Sequence, residues 1–207
     1  MQKKSKKYLL PILIILFLLI TFGVVSKNPL VDSLDSILVF VVTKISTPAL
    51  DSFMVAITDI GSNVGTIFIF VIFAIFLFLK KKKSSLYILT LSAASAVVLN
   101  ETIKLLVERV RPVIRLVTET GFSFPSGHST ISTIFLLSSL LLISPNINNK
   151  YLKVSFQILA SIVFLLVAFS RIYLSVHFAS DVLAGMLLAS ICFLSSRALI
   201  SKPNMVA

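Results

Sequence analysis

The chain has 207 residues, 57% of them hydrophobic and 13% charged, with a formal net charge of +11. Soluble domains are closer to half apolar and a quarter charged, so the composition excludes an ordinary soluble protein and indicates an integral membrane protein. The basic excess does not call for a nucleic acid, because the lysines cluster at the ends of apolar runs, where membrane topology puts them.

Met1 to Lys7 carries four lysines, and Tyr8 to Val25 (8–25) is an apolar run of bilayer length. It is long for a signal peptide and no clean small-x-small cleavage site follows, so an uncleaved first span is expected. Ser26 to Ser62 is mixed: Asp32, Asp35, Asp51 and Asp59 interrupt apolar residues at helical spacing, and Asn28-Pro29 and Thr47-Pro48 mark breaks. Two short amphipathic helices at the interface fit this stretch better than a span.

Val64 to Leu79 (64–79) is the second expected span, stopped by Lys80 to Lys83. Gly61 and Gly65 before it have packing spacing, a weak signal alone. Ser84 to Lys104 (84–104) is the third, with Ser92, Ala93, Ala94, Ser95 and Ala96 small enough for close helix packing. The fourth is 127–144, followed by a polar turn from Pro145 to Lys150. The fifth is 151–171, and the sixth, 177–199, carries Arg197 and is followed by Lys202. The expected fold is an all-α, six-span bundle forming a single domain over 1–207. The lone Cys192 allows no internal disulfide and reads as a core or lipid-facing residue.

Six spans with a cytoplasmic N-terminus place twelve basic residues and no acid inside: Lys3, Lys4, Lys6, Lys7, Lys80 to Lys83, Lys150, Lys153, Arg197 and Lys202. The other seven basic residues and all eight acids fall outside. This bias predicts both termini in the cytoplasm of a multi-pass plasma-membrane protein.

On that threading three polar clusters share the outer face. The first is Lys104 to Arg115. Lys104 and Arg111 are seven apart and share a helix face if the third span reaches that far before Pro112 stops it. Arg109 and Arg115 add charge. Basic residues kept on the disfavoured side point to an anionic ligand. Glu108 reads as a solvated partner of these arginines, and Glu101 is undecided; the Asn100-Glu101-Thr102 sequon lies on a span.

The second cluster is Gly121 to Thr130. Pro125 stops what precedes it, and Ser126, Gly127 and His128 open the fourth helix, whose free N–H groups favour anions. The third is Ser170 to Asp181. His177 and Asp181 are four apart, so on a helix the carboxylate reaches the imidazole, fixes its tautomer and leaves the other nitrogen as base or nucleophile. A metal pair would need more ligands than two histidines supply, so no metal and no cofactor are expected.

Cations and backbone N–H groups stabilise a phosphoryl group in transfer, one histidine attacks, and the other protonates the leaving oxygen. The residues alone do not decide which histidine attacks.

Lys104-x6-Arg111-Pro112, Pro125-Ser126-Gly127-His128 and Ser170-Arg171-x5-His177-x3-Asp181 together resemble the three signature motifs of the type 2 phosphatidic acid phosphatase superfamily, in order and with the right internal spacing. The resemblance implies a six-helix membrane phosphatase with its site at the outer surface. It implies His177 as nucleophile, Asp181 as its orienting partner and His128 as general acid. It also implies that Lys104, Arg111, Ser126, Gly127 and Arg171 hold the phosphate.

The expected partner is a phosphorylated lipid: phosphatidylglycerol phosphate, phosphatidic acid or undecaprenyl diphosphate, cleaved at the outer leaflet through a phosphohistidine. Several undecaprenyl-diphosphate members carry Asp at the position of Gly127, which leans this chain toward the phosphatidylglycerophosphatase B-like group. The competing classes are a non-catalytic lipid-phosphate binder, which would need the cations but not the acid–base pair, and a lipid phosphotransferase.

Overall fold

The computed structural model describes residues 2–200, with side chains from Tyr8 onward. The side chains of Lys3, Lys4, Lys6 and Lys7, together with Lys202, lie outside the described residues. Eight α-helices and no strand occur among the described residues: α1 Gln2–Val25, α2 Pro29–Ile45, α3 Pro48–Asp59, α4 Asn63–Leu79, α5 Lys83–Val107, α6 Gly127–Ser138, α7 Lys150–Tyr173 and α8 Ala179–Ile200. A π turn (Ser139–Ile143) and a 3₁₀ turn (Ser144–Asn146) extend α6 to its polar end.

Sequence punctuation places the helix starts. Asn28 and Thr47 cap α2 and α3 through the N–H groups of Leu30 and Leu50, each with proline in the first turn, where a missing N–H costs nothing. Ser62 caps α4 through Gly65, and Asn149 caps α7 through Leu152.

Five helices are long and apolar enough to cross a membrane, α1 and α5 to α8 with the turns that extend α6. A sixth crossing arises if α3 and α4, bent by 50° at their junction, are taken as one element. α2 and α3 are the two short helices expected between the first and second spans, and α3 meets α4 at that bend. Most of α1 and α4 exposes Leu, Ile, Val and Phe outward, as a lipid-facing surface does.

α6 is the central helix. Ile134 and Phe135 pack with Leu89, Ala93 and Ala96 of α5 and with Leu188, Ala189 and Phe193 of α8. Ser92, Ala93, Ala96 and Asn100 form the buried face of α5, so the small-residue stretch does provide the close contact and leads straight to Asn100. α8 lies tight against the start of α6 at Gly185, where a Cβ would stand 2.6 Å from the Ser126 carbonyl oxygen and 2.9 Å from Thr130 Oγ1. This packing brings the C-terminal ends of α5 and α7, the N-terminal ends of α6 and α8, and the α3–α4 junction to one end of the bundle.

Candidate active site

A cavity of about 760 Å³ opens at that end. Lys104, Arg111, Gly127, His128, Arg171 and His177 all line it, so the three sequence clusters meet in one place. The α3–α4 junction supplies the opposite wall with Thr58, Asp59, Ser62 and Asn63.

Lys104 ends the buried face of α5 and pairs with Glu101, one turn back, at 2.9 Å. Asn100, one turn below, donates from Nδ2 to Thr130 Oγ1 at 2.9 Å, while its buried Oδ1 has no partner. A Cβ on Gly127 would lie 3.5 Å from that oxygen and 3.6 Å from Lys104 Nζ, in the space between them.

The start of α6 presents the Gly127 and His128 N–H groups, which have no acceptor within the helix. Ser126 is not at the cavity wall. It is fully buried, and its hydroxyl oxygen accepts from Ser129 N at 3.4 Å and from Ser129 Oγ at 2.9 Å as the cap of α6. His128 makes no hydrogen bond to another described residue; its ring is backed by Gly61, where a Cβ would come 2.9 Å from His128 Cδ2.

α5 ends at Val107, five residues before Pro112, because Glu108 turns left-handed at φ 50° and its N–H returns to the Lys104 carbonyl. Lys104 and Arg111 therefore do not share a helix face; the chain folds back to bring Arg111 to the cavity. Among the described residues Glu108 forms no ion pair with an arginine.

Arg109 is drawn inward, away from the cavity, to Asp181 Oδ1 at 2.5 Å and Asp35 Oδ2 at 2.8 Å. Arg115 is exposed and donates to the Glu119 carbonyl at 3.0 Å. Of the four basic residues in this cluster, two reach the cavity: Lys104 and Arg111.

Arg111 organises its own loop. It donates from Nε to Gly121 O, from Nη2 to Thr120 O, and from Nη1 to Val176 O and to His177 Nε2, at 2.9 to 3.0 Å. A guanidinium has five N–H donors and no acceptor. One donor thus remains free, and His177 Nε2 must be an acceptor. Burial is the main cause that pulls the Arg111 guanidinium below its usual value.

Arg171 is 1% exposed, donates to Thr58 Oγ1 at 2.7 Å and is hydrogen-bonded to the Glu119 carboxylate. Its Nε has no partner. Burial would raise the Glu119 carboxyl, and Arg171 more than offsets this, leaving it below the usual carboxylate range.

His177 precedes α8, in the turn after α7, with its N–H on the Arg171 carbonyl at 3.2 Å. The helical four-residue spacing with Asp181 does not apply as such. Asp181 instead sits in the first turn of α8 and reaches back to Phe178 N at 2.9 Å, a capping arrangement. Its Oδ2 lies 3.6 Å from His177 Nδ1, with Ser123 bridging the two. Ser123 Oγ is 3.3 Å from Nδ1 and donates to Asp181 Oδ2.

With Nε2 accepting from Arg111, a neutral ring carries its proton on Nδ1, facing Ser123 and Asp181. Burial pushes the imidazole down to about 4 against the pull of Asp181, so the neutral form dominates near pH 7.

The sequence places Glu119 near the polar face and carries Asp35 and Asn100 in plain view, but it assigns no site role to these three or to Ser123. Ser123 stands three residues before Ser126 in a stretch already singled out, but nothing in its spacing says that it faces His177. Asp35 lies 146 positions before Asp181, and only the packing of α2 joins them.

The match to the PAP2 superfamily model covers residues 85–204, which contain every cavity cation and both histidines. Phosphatidylglycerophosphatase B of Bacillus subtilis is 33% identical over 191 residues, 88% of this chain and 91% of the relative. Undecaprenyl-diphosphatase of Sulfolobus acidocaldarius is 35% identical over 130 residues, 59% of each chain. The crystal structure of a transmembrane PAP2 type phosphatidylglycerolphosphate phosphatase from Bacillus subtilis superposes with a TM-score of 0.83 at 29% identity, covering 97% of this chain and 100% of that one. With the motifs gathered at one cavity inside the matched region, the chain belongs to the PAP2 superfamily and is a membrane phosphatase of that family.

Proposed function

We propose that the protein, acting as one domain over 1–207, hydrolyses lipid phosphomonoesters at the outer leaflet of the plasma membrane, phosphatidylglycerol phosphate first among them. The observation that carries this reading is His177: a neutral imidazole at the cavity wall, with Nε2 held as an acceptor and Nδ1 backed by Ser123 and Asp181.

The phosphoryl oxygens bind Lys104, Arg171, the free N–H of Arg111 and the N–H groups of Gly127 and His128. Ser126 contributes by capping that helix start. Arg111 turns its Nη1 donor from Nε2 to a phosphoryl oxygen, which frees the nitrogen lone pair. Nε2 attacks phosphorus, the ester P–O bond breaks, and His128 gives its proton to the leaving lipid oxygen. Water then attacks the phosphohistidine as His128 takes its proton, the P–N bond breaks with its electron pair returning to Nε2, and inorganic phosphate leaves.

The wall beyond the cations favours a monoester over a diphosphate. Asp59, Ser62, Asn63 and Glu101 line it, and no further cation does so among the described residues. A directly linked second phosphate would face carboxylates, whereas in phosphatidylglycerol phosphate the headgroup glycerol separates the two phosphates and its hydroxyl would find acceptors there and at Asn100 Oδ1. The Bacillus subtilis relative, similar along nearly its whole length, carries the matching name. The lysine and arginine bias supports cytoplasmic termini and an extracytoplasmic cavity.

Phosphate release by the purified protein, with chelator present and phosphatidylglycerol phosphate and undecaprenyl diphosphate offered in parallel, tests the reading. Preference for the first is expected. Preference for the second would overturn the substrate assignment, and no release from either would favour a binder. Full inhibition by chelator, restored by a divalent cation, would overturn the metal-free mechanism.

A further inference from the structure

We propose that Asp35 and Arg109 are positioning residues: together they hold the Asp181 carboxylate in register behind His177, Arg109 opposing the negative charge that favours the imidazolium and Asp35 tempering Arg109. The inference rests on the reading of His177 as nucleophile. It concerns a buried layer that substrate does not reach, since neither Asp35 nor Arg109 lines the cavity.

The layer is closed on itself. Arg109 donates to Asp181 Oδ1 at 2.5 Å, to Asp35 Oδ2 at 2.8 Å and to Ser180 Oγ at 2.7 Å, and its guanidinium lies over the Phe178 ring at 4.2 Å. Asp35, 2% exposed on α2, accepts in addition from Ser180 N at 2.9 Å and Ser180 Oγ at 2.5 Å. Asp181 is fully buried with both oxygens engaged, Oδ1 by Arg109 and Oδ2 by Ser123 and Phe178 N. It cannot rotate away from His177 without breaking these bonds.

The charge count explains why two carboxylates share one guanidinium. Asp181 alone behind His177 would stabilise the imidazolium, which has no lone pair with which to attack. Arg109 opposes that charge, and Asp35 in turn tempers Arg109, leaving one net negative charge across the layer. Burial would pull Arg109 down, and Asp181 and Asp35 more than offset it, so it stays charged.

The other charges around the cavity come from different elements. They are Arg111 and Glu119 of the loop, Arg171 of α7, His128 of α6, Lys104 and Glu101 of α5, and Asp59 of α3. Among the described residues none of them hydrogen-bonds to Asp35 or to the Arg109 side chain. Asp35 lies outside the segment matched by the family model, so α2 brings to the site something the three motifs do not contain.

The chain has two histidines, so isotope-labelled imidazoles can be titrated individually by NMR in detergent micelles. In the full-length protein R109Q should move the His177 titration up by about half a pH unit or more, and D35N should move it down. The D35N/R109Q double variant should return it to between the two. R109K, which keeps the charge, should stay near the parent, and the acid limb of kcat/KM should follow the same order.

D51N is the structural control: Asp51 of α3 accepts from Tyr173 Oη of α7 at 2.6 Å, a part-buried carboxylate contact outside the layer around Asp181. It should lower thermal stability and leave the titration in place. Shifts of the same sign in R109Q and D35N, or falling kcat with no shift, would overturn the proposal and leave the pair as packing. Where R109Q does not fold, the near-isosteric D35N decides through its downward shift. H177A run alongside separates the failures: turnover surviving in it defeats the nucleophile reading, while unshifted variants with H177A inactive defeat only the pair.

Discussion

The two histidines sit in opposite surroundings. His177, in the α7–α8 turn, has both ring nitrogens engaged, Nε2 by Arg111 and Nδ1 by Ser123, with a closed layer of buried charge behind it. His128, in the first turn of α6, faces the cavity with no hydrogen bond to another described residue and only Gly61 pressed against its ring. A nucleophile must hold one lone pair on line with phosphorus, so fixing it is worthwhile. A proton donor must follow a leaving oxygen that changes with the lipid, so freedom serves it better.

Removing each histidine gives the largest expected effects and separates the roles. His177→Ala should abolish turnover on every substrate. His128→Ala should cost about 10² to 10⁴ in kcat on alkyl phosphates, and much less on an aryl phosphate whose leaving group needs no proton. Equal losses on both substrate types would dissolve the contrast.

Ser123→Ala tests the locked side alone. Loss of a hydrogen bond to a buried carboxylate should lower kcat about tenfold or more with KM little changed, and Ser123→Thr, which keeps the hydroxyl, should recover much of it. An alanine variant as fast as the parent would mean that Asp181 holds His177 without the bridge.

The free side rests on how closely α8 approaches the start of α6. Gly185→Ala puts a Cβ against the Ser126 carbonyl and should cost about 1–3 kcal/mol, read as a lower melting temperature in detergent. An unchanged melting temperature would show that the helices separate without penalty.

The smallest effect is expected at Glu119, whose carboxylate already holds the Arg171 guanidinium that binds phosphate in the proposed reaction. Glu119→Gln should tighten inhibition by inorganic phosphate by about fivefold at most, because Glu119 is partly exposed. Its carboxyl is held below the usual range in the folded state, so its contribution to stability is present above that range and lost as pH falls through the lowered value. The parent should therefore lose more melting temperature on acidification than Glu119→Gln; equal slopes would remove this contribution.

Much of the site was legible because its parts are local in sequence. The start of α6 reads from Pro125, Ser126 and Gly127, and the charge bias already put Lys104, Arg111, His128, Arg171 and His177 on one face. What failed was helix phase at the ends. The Lys104–Arg111 spacing assumed that α5 continues, but Glu108 turns left-handed and Arg109 goes to a buried pair. The His177–Asp181 spacing assumed one helix, but α8 starts at Ala179. Helix ends are set by what their side chains can reach in three dimensions, and periodicity carries no record of that.

The sequence by itself determined the helical membrane architecture, the family and the basic residues and histidines that line the cavity, because apolar runs of bilayer length and motifs of fixed internal spacing are local properties. Only the tertiary structure decided how those residues are held. Ser123 between His177 and Asp181, Asp35 reaching Arg109 from α2, Ser126 spent on a helix cap and Glu119 on Arg171 are all pairings of buried polar groups. In a low-dielectric interior each such group must find a partner, and which partner it finds depends on the packing of helices far apart in the chain.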